Sequence, residues 1–196
     1  TWSTSSKSRV SHMQAGDFYA SEQSALMDSA KMLSIEFVGA DGTQQTLASD
    51  IAVDLNEVVD AAMMSKQALC AFFEEQIAAT EPGTLFSLHL KATMMKVSDP
   101  IMFGHAVRAY YKEAFSKHAQ VFADLGVDAN NGVGDAYQKV ASLPEAQAAE
   151  IIADLDACMS NGPAMAMVDS DRGTPHIRRE ECVINFLGLG VSKCRF

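Results

Sequence analysis

The sequence predicts an α/β protein in which strands and helices follow one another in layers. Three observations lead there. Leu33, Ile35 and Phe37 alternate with polar residues, the two-residue period of a half-buried strand. Several stretches between residues 65 and 162 instead carry apolar side chains every three or four positions, as an amphipathic helix does. Two short apolar runs, "LFSLHL" and "AMAMVDSD", follow such stretches and read as buried strands.

In chain order, residues 1–30 are rich in Ser and read as irregular, with Trp2, Phe18 and Tyr19 packing them down. "ADGT" then supplies an Asp-Gly turn, and "QQTLASDIAV" returns as the partner of the strand around Ile35. Ser65 caps a helix whose stripe is Leu69, Phe72, Phe73 and Ile77. After "LFSLHL", Asp99 is a capping candidate and Pro100 sits in a first turn, where a missing N–H costs little. One long helix follows, with Phe103, Val107, Tyr110, Tyr111, Ala114, Phe115, His118, Phe122 and Leu125 on a broad face and Gly126 closing it. Tyr110, Tyr111 and His118 are expected in the core. "DANNGVGDAYQKVASL" turns and becomes a short helix, and "PEAQAAEIIADLDACMSNGP" is a further helix ended by Asn161 and Gly162.

Bulk properties exclude several classes. With 196 residues, 48% hydrophobic and 20% charged, the chain suits one packed domain or two small ones rather than a disordered segment. A net charge of −10 disfavours nucleic acid and anionic membranes as partners. No run reaches the roughly 20 apolar residues that span a bilayer. The four cysteines form no CxxC pair, so no compact zinc site is expected. Cys70 and Cys158 read as small core residues of a reducing compartment, the cytoplasm or an organelle matrix such as mitochondrion or plastid. Cys182 and Cys194 fall in the tail. There is no signal peptide and no initiator methionine, and the opening residues read as the interior of something longer or as a processed product.

The junction "SLHLKATMMKVSDP" carries the chemistry. Ligands of open α/β sheets bind outside the carboxyl ends of strands, and Lys91 stands at such an end. With Lys96 and the positive start of the next helix it can attract a carboxylate or phosphate. Equally, both lysines can lay their stems on apolar surface and reach water. Asp169 and Asp171, two residues apart, can face one side and hold a divalent cation, or simply begin a loop. His89, between Leu88 and Leu90, is a weak ligand candidate.

"FSLHLKATMMKVSDPIMFGHAV", "SKSRVSHMQAGDFYASE", "VVDAAMMSKQAL", "VDANNGVGDAYQKVASLP" and "AMAMVDSDRG" closely resemble the monomeric NADP-dependent isocitrate dehydrogenase family. The likeness spans residues 1–173, leaving 174–196 as a divergent tail. It implies part of the large domain of a two-domain polypeptide with its active site between the domains. Such an enzyme converts isocitrate oxidatively to 2-oxoglutarate with NADP and Mg or Mn. The resemblance makes Lys91 the catalytic and substrate-binding lysine, contacting isocitrate and handling a proton during decarboxylation; Lys96 takes no catalytic role. The family's substrate-gripping serine and arginines fall before residue 1. Its catalytic tyrosine, two metal-binding aspartates and NADP-binding residues fall after residue 196. A further metal-binding aspartate is expected near the end, where Asn185 stands instead, beside Phe186.

Two expectations result. The first is a non-catalytic accessory or structural subunit of a larger assembly. It would have no cofactor of its own, lean on other protein chains, and dock through Phe186, Leu187 and Leu189. The alternative is a fragment of an NADP-dependent isocitrate dehydrogenase, inactive alone, that binds isocitrate when completed by the missing remainder.

Overall fold

Helices and paired strands segregate along the chain. The computed structural model describes residues 4–88, 97–165, 167–169 and 174–176, the last two groups by backbone only. It divides into two compact units, Gln14–Ser65 and Thr1–Met13 with Lys66–Phe196. The first holds a short helix α1 (Phe18–Ser21) and strands β1 (Gln23–Leu26), β2 (Lys31–Val38), β3 (Gln44–Val53) and β4 (Val58–Ala61). The second holds α2 (Lys66–Ala78), α3 (Ser98–Tyr110), α4 (Lys112–Lys117) and α5 (Ala119–Asp124). A 3-10 turn (Ala129–Asn131), α6 (Val133–Val140), α7 (Glu145–Asn161), β5 (Met167–Asp169) and β6 (Thr174–His176) complete it. The protein is therefore a mixed helix and strand structure, and its described sheets are two-stranded and antiparallel.

In the strand unit, β2 and β3 form the hairpin that the alternation and the Asp-Gly turn predict. Gly39 N–H donates to Thr43 O at 2.8 Å. Asp41 accepts from Thr43 N–H at 3.0 Å, a hydrogen bond that holds its carboxyl below the ordinary pKa. Register shifts around Ile35 leave Ser49 and Asp50 opposite Ser34, and Asp50 takes φ 57° at this irregularity. β1 pairs with β4. The alternating face is not half-buried as expected: Ile35 and Phe37 are 52% and 53% exposed, and Val53 is the buried hydrophobic of this unit. Period-2 patterning identifies an apolar face but does not supply its cover. Phe18 and Tyr19 also differ from expectation, Tyr19 standing 90% exposed.

The core lies in the helical unit. Phe103 and Val107 of α3, Ala114 and Phe115 of α4, Phe122 of α5, Val133, Ala136 and Val140 of α6, and Ile151, Leu155 and Cys158 of α7 pack as one buried cluster. The α6 and α7 residues recur at three- and four-residue spacing, which puts each set on one helix face. Phe115 and Phe122 meet edge to face, centroids 4.9 Å apart. Tyr111 is fully buried and His118 nearly so, as predicted, and Tyr110 is half-buried with its hydroxyl donating to Pro163 O at 2.7 Å. Leu69 and Phe73 of α2 are buried, while Phe72 and Ile77 of the same stripe are half-buried. Cys70 is half-buried rather than core.

The single helix expected from 98 to 125 is three. Breaks fall at Tyr111 (φ −99°, ψ 28°) and His118 (φ −106°, ψ 22°). The ladder nonetheless continues across them, Tyr111 N–H to Val107 O and His118 N–H to Ala114 O, so the apolar face survives. Asp99 is not the cap of α3. Val97 occupies that position, and the Asp99 side chain is buried inside the first turn.

Two glycines are required by close approach. A Cβ on Gly162 would stand 2.7 Å from the Tyr110 hydroxyl oxygen, so Gly162 ends α7 for packing reasons at an ordinary φ of −85°. A Cβ on Gly104 would stand 2.0 Å from Asn130 Oδ1 and 3.0 Å from Asn130 N. Alanine gains about 1 kcal/mol of helix propensity there, but overpacking costs about 1–3 kcal/mol. Gly104→Ala is therefore expected to lower stability on balance, with Asn130→Gly recovering part of the loss in chemical denaturation. Equal or raised stability in Gly104→Ala would show that the 3-10 turn yields freely.

Candidate functional site

The two apolar runs singled out in the sequence meet at Phe86 and Met165. Phe86 and Met165 form a parallel bridge, with Phe86 N–H donating to Ala164 O at 2.8 Å. The "LFSLHL" run is only partly the buried strand expected, since Leu85 and Ser87 are exposed and only Phe86 is bridged among the described residues. Lys91, Lys96, His89, Asp171, Asn185, Phe186, Leu187 and Leu189 lie outside the described residues, as does the side chain of Asp169.

Beside the Leu85–Leu88 stretch a groove of about 590 Å³ has Phe72, Phe73, Phe86 and Leu88 in its lining, with Lys7 and Arg9 among its polar residues. Lys7 is already paired with Glu81. Arg9 reaches Gln76 Oε1 at 3.4 Å and Ala79 O at 3.5 Å. The groove is mainly apolar, and alone it is not the set of cations that a tricarboxylate needs.

Across the junction, Asp99 opens α3. It is 1% exposed, and its Oδ2 has no hydrogen-bond partner among the described residues. Burial raises its pKa above the ordinary 3.8. The folded state therefore holds this proton more tightly than the unfolded chain. Its contribution is most favourable below pH 3.8 and is lost as pH rises through the folded-state pKa. Asp99→Asn is expected to raise stability at neutral pH by roughly 1 kcal/mol, with no gain in strong acid. Urea unfolding at both pH values checks this. A loss of stability at neutral pH would mean that the carboxylate has a cationic partner.

A second polar cluster joins α4, His118 and α7. His118 Nε2 lies 2.6 Å from Asp154 Oδ2, and Lys117 Nζ lies 2.8 Å from Asp154 and 3.0 Å from Glu150. Lys117, then His118, hold the Asp154 carboxyl below its ordinary pKa. His118, Glu150 and Asp154 could present three ligand atoms to a cation, but the Lys117 ammonium already bridges both carboxylates and occupies that place. The described residues of this cluster do not fit a divalent ion. They fit an ion-pair network that pins α7. Because the Asp154 pKa is lowered, its stabilisation is present above pH 3.8 and is lost as pH falls through the folded-state value. Asp154→Asn should thus move the midpoint of acid unfolding to higher pH; an unchanged midpoint would remove the network from the stability account.

The sequence did not reveal this network. Glu150 and Asp154 are four apart on one helix face, a readable spacing, but their partners lie more than thirty positions earlier.

A profile described as "Monomeric isocitrate dehydrogenase" matches residues 1–185. The chain belongs to the monomeric isocitrate dehydrogenase family. It is 54% identical over 184 residues to "Isocitrate dehydrogenase [NADP] 2" of Colwellia maris. It is 50% identical to the protein of that name from Mycobacterium tuberculosis and 46% identical to "Isocitrate dehydrogenase [NADP]" of Azotobacter vinelandii. Each match covers 93% of this chain and 25% of the relative, so the chain spans about a quarter of their length. Among the described residues, no helix is long and apolar enough to cross a membrane.

Proposed function

We propose that this chain is a segment of an NADP-dependent isocitrate dehydrogenase and that it contributes Lys91 to the isocitrate site. The observation that carries this is 46–54% identity over nearly the whole chain to proteins named for that activity, of which it covers a quarter. Of the two expectations above, the relatives favour the fragment over the accessory subunit. The exposed apolar ribbon of the strand unit fits an accessory subunit, but it fits a segment of a longer polypeptide equally well.

Lys91 follows in sequence the "LFSLHL" run, whose Phe86 bridges Met165 in parallel, and a lysine at the end of such a run would face the crevice that strand ends open. There an ammonium group can bind a substrate carboxylate and exchange a proton, provided its surroundings tune its pKa. NADP accepts the hydride in the complete enzyme, and Mg or Mn is expected with it. By the family resemblance, two metal-binding aspartates and the NADP-binding residues belong to the remaining three quarters of the polypeptide.

Complementation tests the proposal. The chain, co-expressed with the Azotobacter relative from which the matching segment has been deleted, should restore isocitrate-dependent NADPH formation. Absence of activity in a soluble, co-purifying pair rejects it.

A further inference from the structure

We infer that a cleft of about 520 Å³ between α2, α3 and the 3-10 turn is a binding site for a small oxyanion, a phosphate or a carboxylate. Lys66 from α2 and His105 and Arg108 from α3 line it, with Asn130 from the turn. The close approach of Asn130 to Gly104 fixes that turn against α3. Two acids also line the cleft, and both are committed. Glu74 pairs with Lys112 at 2.8 Å, and Asp128 Oδ1 accepts from the Asn130 backbone N–H at 2.9 Å. Among the described residues, neither Lys66 nor Arg108 is paired with a carboxylate. The Arg108 guanidinium lies 5.2 Å from the Phe115 ring centroid, a cation–π contact that restrains it. Burial, then Lys66 and Arg108, keep the His105 pKa below its ordinary value, so both cations act on this ring.

The lining thus sets two cations, Lys66 and Arg108, against two acids already engaged, one by Lys112 and one by a backbone N–H. Both cations act on the His105 ring, and an anion bound beside them would relieve the repulsion between them. Guanidinium and ammonium groups are the usual partners of phosphate and carboxylate oxygens. The inference does not depend on the proposed dehydrogenase role.

The test is a titration of the full chain followed by NMR of the His105 ring, assigned with His105→Gln. Inorganic phosphate and citrate are compared with potassium chloride at matched ionic strength. The expected result is a saturable shift with phosphate or citrate and none with chloride. Whichever of the two saturates at lower concentration assigns the site to phosphoryl or carboxylate ligands. Lys66 and Arg108 are exposed, so Lys66→Ala and Arg108→Ala should fold normally, and each should weaken binding about tenfold. A chloride effect equal to that of phosphate and citrate, a silent His105, or unchanged binding in both variants would overturn the assignment.

Discussion

Lys91→Met in the reassembled enzyme is expected to lower kcat by about a hundredfold to ten-thousandfold, the range spanned by a positioned proton-transfer group. Methionine keeps an unbranched apolar stem but removes the charge and the transferable proton. Decarboxylation develops negative charge next to the departing carbon dioxide, and an ammonium group at that position stabilises it where methionine cannot. The proposed contact with a substrate carboxylate would be lost as well, so KM should also rise. Lys91→Arg should not rescue kcat, because a guanidinium keeps its proton at any working pH. Recovery of substrate affinity without recovery of kcat in Lys91→Arg would separate the two roles. Near-normal turnover in Lys91→Met would remove Lys91 from the chemistry.

Leu155→Ala is expected to destabilise the helical unit by about 2–5 kcal/mol. Leu155 has no exposed surface and sits among α3, α4, α6 and α7 side chains in the core cluster. Truncation removes its transfer free energy and leaves a cavity that flanking helices close only in part. Such a loss is a large share of the stability of any domain. Phe37→Ala, in the strand unit, removes more atoms but from a side chain already 53% exposed, and should cost under about 1 kcal/mol. Urea midpoints for the two variants separate the units energetically. Equal losses would mean that Phe37 is covered in solution. Hydrogen exchange should agree, with β2 and β3 amides exchanging well before those of α7.

The helices were legible because burial repeats along them. Phe103, Val107, Tyr111, Ala114, Phe115, His118 and Phe122 are all buried, as their spacing indicates. The same spacing hid the breaks at Tyr111 and His118, since a change of ψ at one residue barely rotates the face. The hairpin was legible from alternation and its Asp-Gly turn, but its exposure was not, because a pattern of side chains carries no information about what covers it. Relations far apart in sequence were out of reach: the ion pair of Lys117 with Asp154, and the placing of Lys66 and Arg108 on one cleft. Lys91 was conspicuous as a charge between apolar runs, yet its role came from resemblance to a family and not from its spacing.

The most direct measurement is NADPH formation by the purified 196-residue chain supplied with isocitrate, NADP and manganese or magnesium. If, as proposed, the segment supplies one substrate-binding lysine and the rest of the polypeptide binds metal and cofactor, it should give no turnover above buffer. Sustained, isocitrate-dependent NADPH production by this chain alone would contradict the account.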